Sequence, residues 1–299
     1  MTPRAAYLAA EGLEAPLTEE AARKGVTLGA WHGRLVTSPD PPVQLAWAED
    51  TWLAPRLVTD PAELLTLAPR WTALRMEDEA PGVAKQPNRR LHFPTALPAP
   101  AGGFTTVAPG QWLASPTRAS RFPAGNARFF EDAEGPPSRA YLKLWEALTL
   151  LGAHPAQGDL CYDLGAAPGG WTWAIAKLGA RVVAIDKAAV APNVAAMLGV
   201  KQRLESAFAL DPRAEPRLDW LVCDVIAYPT RTLALVRRWL DSGRVAHIVA
   251  SVKFQGATDH DTAEAFAAIP GGRLLHLSHN KHELTFLWPF PPMRNEEPT

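Results

Sequence analysis

From Ser138 onward, short apolar runs alternate with stretches in which apolar residues recur every three or four positions. That alternation is the mark of strands separated by amphipathic helices. It predicts a helix over 138–152, a strand over 160–164, a helix over 171–179, a strand over 181–186, a helix over 190–198 and a strand over 200–205. The pattern continues with a strand over 218–224, a helix over 230–242, a strand over 245–253, a helix over 260–268 and two closing strands near 273–278 and 283–288. Uninterrupted β/α alternation predicts an α/β fold, a sheet covered by helices on both faces, with ligands at the carboxyl ends of its strands.

Upstream the pattern changes. Residues 1–75 mix strand-like runs ("AAYLAA", "GAWHGRLVTS", "VQLAWAEDTW") with helical ones ("PLTEEAARKG", "DPAELLTLA"), which predicts a small α+β domain, a split βαβ layer of ferredoxin-like type. Residues 76–130 are rich in proline and short on periodicity, so they are expected to form an extended linker or a weakly structured module. The α/β domain is expected over 131–290, followed by a tail over 291–299, and no internal repeat is evident.

Composition narrows the class without naming it. The chain has 299 residues, 47% of them hydrophobic and 20% charged, with a net charge of −1. These values are ordinary for a globular protein, and any nucleic-acid site must come from local patches. Its two cysteines, Cys161 and Cys223, each lie in an apolar run just before an aspartate, as reduced core residues of a cytoplasmic protein would. No run approaches a membrane span, so no membrane partner is expected. His276, His279 and His282 are spaced by three, which throws successive side chains of an extended segment to opposite faces; no metal site is expected.

The stretch "CYDLGAAPGGWTW", residues 161–173, joins the first α/β strand to its helix. A glycine-rich strand-to-helix turn lets a ligand approach the backbone. Its glycines, Gly165, Gly169 and Gly170, do not have the G-x-G-x-x-G spacing, which disfavours a nicotinamide or flavin cofactor. Asp186 closes the next apolar run, where an acid commonly takes ribose hydroxyls. The pairing suits an adenosine ligand without a pyrophosphate. Asp224 and Lys253 end two further strands at the same expected edge. A lysine closing an apolar strand is unusual, although an ion pair with Asp224 would also account for it.

Four motifs together resemble the FtsJ-like ribose 2′-O-methyltransferases, and within them the bacterial members that methylate a cytidine ribose of large-subunit ribosomal RNA. "PPSRAYLKLWEA" is similar to the segment carrying the first residue of the family's Lys-Asp-Lys-Glu tetrad, here Lys143. "DLGAAPGGWT" is similar to its cofactor loop, "DWLVCDVIAYP" supplies Asp224, "SVKF" supplies Lys253 and "HNKHELTF" supplies Glu283. The resemblance covers roughly residues 115–290. It implies a Rossmann-like class I methyltransferase sheet whose last strand runs antiparallel beside the fifth, bringing Lys143, Asp224, Lys253 and Glu283 together as catalytic residues.

It also implies S-adenosylmethionine as cofactor, with Asp163, Gly165, Ala166, Pro168, Gly169, Gly170, Trp171, Asp186, Ser206 and Asp224 around it. Ser206 stands where family members often carry an aspartate near the adenine amine. RNA, most directly large-subunit ribosomal RNA, is the implied partner, and a monomer the expected state. Lys253 is the expected general base, because a ribose hydroxyl is a poor nucleophile until its proton is taken.

Arg118, Arg121 and Arg128, interleaved with Phe122, Phe129 and Phe130, together with Arg139, are the candidate RNA contacts. The plainer alternative packs the phenylalanines inward and leaves the arginines solvated. The tetrad reports the acceptor group and not the molecule. A transfer RNA or messenger cap substrate therefore stays open, as does a non-catalytic RNA-binding protein retaining the fold.

Overall fold

Eight short strands and two helices build the first of two units, formed by residues 1–130 together with 275–278. The computed structural model describes residues 2–291. Strands β1 (Ala5–Ala9), β2 (Trp31–His32), β3 (Leu35–Ser38) and β4 (Ala48–Trp52) form an antiparallel sheet in the order β2-β3-β1-β4, with helix α1 (Glu14–Arg23) between β1 and β2. β1 is buried along its whole length, as befits a central strand of alanine, tyrosine and leucine.

A second sheet follows, made of β5 (Arg56–Val58), β6 (Trp71–Ala73), β7 (Gly102–Ala108) and β8 (Gln111–Ser115) in the order β5-β8-β7-β6. Helix α2 (Pro61–Leu67) lies between β5 and β6; the Asp60 side chain caps it by accepting from the Ala62 amide, and Pro61 sits in its first turn, where no donor is lost. The period-two alternation of β8 serves two cores. Leu113 packs with Ala6, Leu8, Leu35 and Trp52, whereas Trp112 and Ala114 pack with Val58, Leu64, Trp71 and Phe104.

The linker expected over 76–130 is therefore corrected at its centre, since 102–115 is a β-hairpin within this second sheet. The pair Gly102–Gly103, within the expected linker, is a strand in close approach to its neighbours. A Cβ on Gly102 would come within 2.6 Å of the Trp71 ring, and one on Gly103 within 2.7 Å of Arg118. The small α+β region likewise extends past 75 to 130.

The second unit, residues 131–274 and from 279 onward, carries the predicted alternation. Its elements are α3 (Tyr141–Leu151), β9 (Leu160–Leu164), α4 (Gly170–Lys177), β10 (Arg181–Asp186), α5 (Pro192–Ala195), β11 (Val200–Leu204), β12 (Leu218–Cys223), α6 (Pro229–Ser242), β13 (Val245–Lys253), α7 (His260–Ala267), β14 (Arg273–Leu275) and β15 (Glu283–Trp288). The strands form one sheet in the order β11-β10-β9-β12-β13-β15-β14. Neighbours from β11 to β13 are parallel, and β15 runs antiparallel to β13.

Buried apolar runs on β9, β12 and β13 fit a sheet covered on both faces. α6 shows the matching helical period, burying Thr232, Leu235, Val236 and Trp239 while Arg231, Arg237, Arg238 and Asp241 face solvent. Two elements are shorter than expected. The helix at 190–198 is confined to 192–195, where only Val194 is buried, and the strand at 273–278 ends at Leu275. The tail expected over 291–299 lies, from residue 292, outside the described residues.

Candidate active site

Because β9, β10, β12 and β13 run parallel, their last residues share one edge of the sheet, and antiparallel β15 begins at that edge. The strand order reverses between β9 and β12, the switch point where such sheets open a crevice for ligands. Asp224 directly follows β12, with its amide donating to Leu164 O at 2.9 Å. Lys253 ends β13, Glu283 starts β15, and these two are register partners across the ladder. Lys143 lies in the first turn of α3.

These four side chains form one hydrogen-bonded chain. Lys143 Nζ donates to Glu283 Oε1 at 2.9 Å and to Asp224 Oδ1 at 3.1 Å. Lys253 Nζ lies 3.0 Å from the same Asp224 oxygen and donates to the Asp224 backbone carbonyl at 2.8 Å. Exposure is graded along the chain: the Lys143 side chain retains 8% of its surface and Lys253 21%. Burial disfavours the Lys143 ammonium, yet the carboxylates of Asp224 and Glu283 outweigh it and hold the lysine above its ordinary pKa. Burial also opposes ionisation of Asp224, but Lys143 and Lys253 prevail and hold it below the usual carboxylate range. Trp171 braces this end of α3: its indole donates to Ala140 O at 2.8 Å, and Lys143 Nζ lies 5.8 Å from its ring centroid.

The turn beside this chain presents Gly165, Ala167 and Pro168 at least partly to solvent, whereas Ala166, Gly169, Gly170 and Trp171 are buried. Gly165 adopts φ +79°, and a Cβ there would stand 2.8 Å from the backbone of Val225, so only glycine fits. Asp186, half-buried at the end of β10, accepts from the Ala167 amide at 3.1 Å through one oxygen and from the Ala188 amide at 3.0 Å through the other. Two anchored carboxylate oxygens with lone pairs to spare suit a vicinal diol. Ser206, half-buried beyond β11, caps a short turn through Phe208 N at 3.3 Å. The Asp186 carboxylate beside the partly open turn thus fits the ribose of an adenosine ligand.

Two expected contacts are corrected. Asp163 is fully buried, with Oδ2 accepting from the Thr172 hydroxyl at 2.6 Å and Oδ1 without a partner. Its carboxylate therefore braces the start of α4 through Thr172 from inside the fold. Burial pushes its carboxyl up to about 7, against the opposing bonds from Thr172. Arg118 is also no surface residue: its side chain keeps 1% of its surface, pairs with the buried Asp50 carboxylate and donates to Ala101 O. The remaining candidates differ among themselves. Arg121 is half-buried on Pro98 O, Arg128 is exposed, and exposed Arg139 pairs with Glu131 at 2.8 Å.

Two residues at this edge carried no sequence signal. Ile226 and Tyr228, two and four positions after Asp224, are 83% and 61% exposed, and only their place in the fold marks them. Of the three histidines, His276 lies tilted against Trp47 at 5.9 Å between ring centroids, and His282 Nε2 meets the Thr258 hydroxyl at 2.8 Å.

Strand order, switch point and acid-closed strands together define a Rossmann-like methyltransferase sheet. Residues 136–253 match the FtsJ-like methyltransferase family. Among curated relatives, the ribosomal RNA large subunit methyltransferase M of Aromatoleum aromaticum is 35% identical over 192 residues, covering 58% of this chain and 51% of the relative. Its namesake in Halorhodospira halophila is 46% identical over 107 residues, 35% of this chain and 31% of the relative. That of Alkalilimnicola ehrlichii is 37% identical over 164 residues, 50% and 45%. The chain spans about half or less of the length of these relatives.

Proposed function

We propose that this chain is an S-adenosylmethionine-dependent ribose 2′-O-methyltransferase acting on bacterial large-subunit ribosomal RNA in the cytoplasm. The observation that carries the reading is the single chain of hydrogen bonds linking Lys143, Asp224, Lys253 and Glu283 at the switch-point edge. The relatives' printed names support the choice of substrate. Among the described residues, no helix is long and apolar enough to cross a membrane.

Gly165, Ala167 and Pro168 would flank the cofactor, and Asp186 would take its ribose hydroxyls. When bound, S-adenosylmethionine supplies an electrophilic methyl group on a sulfonium sulfur. Lys253 is the base: two of its N–H directions are fixed by Asp224 Oδ1 and Asp224 O, leaving the third for exchange with the ribose hydroxyl. The neutral amine accepts the 2′-hydroxyl proton as that oxygen attacks, a contribution of about 10²- to 10⁴-fold. Lys143, held between two carboxylates, stays charged. It keeps Asp224 ionised and Asp224 Oδ1 in place for Lys253, and it holds Glu283 through a 2.9 Å hydrogen bond.

The test is transfer of labelled methyl from S-adenosylmethionine into deproteinised bacterial ribosomal RNA by the natural chain and by Lys253→Ala. Label that protects one phosphodiester bond from alkali, reduced about 10²-fold or more in the variant, is expected. Label on a base, or an unimpaired variant, overturns the reading.

A further inference from the structure

Between Lys85 and Phe130 the chain carries six basic residues and no acidic one. Three of the six are engaged within the first unit: Arg118 on Asp50, Arg121 on Pro98 O, and Lys85 on the carbonyls of Met76 and Asp78. Arg89, Arg90 and Arg128 are exposed, and among the described residues no ion pair reaches them.

Backbone pairing brings two of these together. Leu91 N donates to Arg128 O at 2.7 Å and Phe130 N to Leu91 O at 2.9 Å, a parallel bridge that sets Leu91 against Phe129. The period-two alternation then sorts the side chains. Ala127 and Phe129 are buried, and the Ala127 amide is anchored on the Ser278 hydroxyl at 2.8 Å. Arg128 and Phe130 face outward on one segment, and Arg90 and His92 on the other. His92 and Phe130 stack at 4.2 Å between centroids and 19° between planes, with Phe130 still 47% exposed. Arg90 thus sits beside Arg128. Like charges at neighbouring positions of paired strands repel, and no acidic residue within 85–130 relieves them.

We propose that Arg90, His92, Arg128 and Phe130 form a docking surface for single-stranded RNA, with one unpaired base stacked on the aromatic pair and adjacent phosphates on the two arginines. An anionic backbone relieves the repulsion between the arginines, and an exposed aromatic face suits an unstacked base. A-form duplex is a poor fit, because its bases are stacked away from such a platform. The proposal rests on the reading of the chain as an RNA methyltransferase, and names where the RNA is held.

The test uses the full chain and a short, unstructured, fluorescein-labelled oligoribonucleotide of cytidine and uridine, with anisotropy followed over a salt series. The double variant Arg90→Ser/Arg128→Ser is expected to flatten the dependence of log affinity on log salt by about 1.4, two phosphate contacts on a single strand. Phe130→Ala is expected to weaken binding about 5- to 150-fold with the salt slope unchanged, and Phe130→Trp to preserve it. Thermal melts followed by circular dichroism confirm that each variant is folded.

No binding by the natural chain, unchanged binding by the variants, or equal displacement by polyglutamate or by duplex RNA overturns the proposal. Variants that lose affinity while the natural chain transfers no methyl group to ribose leave the surface standing and remove the enzymatic reading. Methyl transfer by a natural chain whose RNA affinity ignores these substitutions does the reverse.

Discussion

Replacing Asp163 by asparagine should stabilise the folded chain above neutral pH, by an amount set by burial. The carboxyl is fully buried, one oxygen has no partner, and the charges of Asp224 and Asp186 add to the burden, so it titrates at about 7 in the fold. In the unfolded chain the same group titrates at about 3.9. The folded state therefore holds this proton roughly three pH units more tightly. At about 1.4 kcal/mol per unit, ionising Asp163 costs the fold on the order of 4 kcal/mol once the pH exceeds 7.

The sign follows from proton counts: between the two pKa values the native state binds more protons than the unfolded one, so stability contributed by this group falls as pH rises. Asparagine mimics the protonated acid, keeps an acceptor for Thr172 and never ionises. The natural chain and Asp163→Asn should be equally stable near pH 4, diverge through pH 5 and 6, and differ by a plateau of about 4 kcal/mol above pH 7. Urea unfolding followed by tryptophan fluorescence at several pH values reads this difference directly, with every other titrating group common to both chains. A difference that stays flat across the range, or a variant less stable at pH 8, would refute the burial argument.

Lys143→Met should destabilise the chain by about 3 kcal/mol at pH 7, because it strands the mostly buried Glu283 carboxylate and leaves Asp224 to Lys253 alone. Since the folded pKa of Lys143 is raised, its contribution is complete below the ordinary lysine pKa and fades only as pH rises through the folded value; urea midpoints at neutral and strongly alkaline pH check this. Arg118→Met should cost about 3–5 kcal/mol by leaving Asp50 buried and uncompensated, and adding Asp50→Asn should recover part of that loss. Midpoints that move by less than about 1 kcal/mol would return Arg118 to the surface.

The α/β half was legible because its signals are redundant. The central strands β9, β10, β12 and β13 are apolar runs, the helices bury residues at a 3.6 period, and polar residues close the strands at Asp186, Asp224 and Lys253. Topology then needed only the antiparallel placement of β15, which no local pattern encodes and which the family resemblance supplied. The first half was harder to read for equally physical reasons. β7, "GGFTTVA", has glycine where Trp71 and Arg118 press against the backbone, so steric fit weakens the strand pattern in a stretch already rich in proline.

Arg118 read as a phosphate contact because sequence cannot display its partner, Asp50, sixty-eight positions away. Asp163 entered the expected cofactor site through the family resemblance of its loop, and strand alternation turns its carboxylate toward Thr172 inside the fold. Ile226 and Tyr228 were silent for the opposite reason: an exposed apolar residue in a loop carries no pattern.

The pairing of Lys253 with Glu283 makes β15 a ruler. Sliding the strand by one residue would bring Leu284 to the active edge and exchange the two buried faces of β15, setting Thr285 and Leu287 where Leu284 and Phe286 pack; sliding it by two would restore the faces but carry the carboxylate about 7 Å away. Packing against β13 thus proofreads the position of a charged group that packing alone would never choose. The intervening residues 254–282 are released from that duty. Insertions and deletions there can accumulate without moving Glu283, so long as the ladder closes in the same phase, and a graft of another chain's connecting segment should be judged by ladder phase before length.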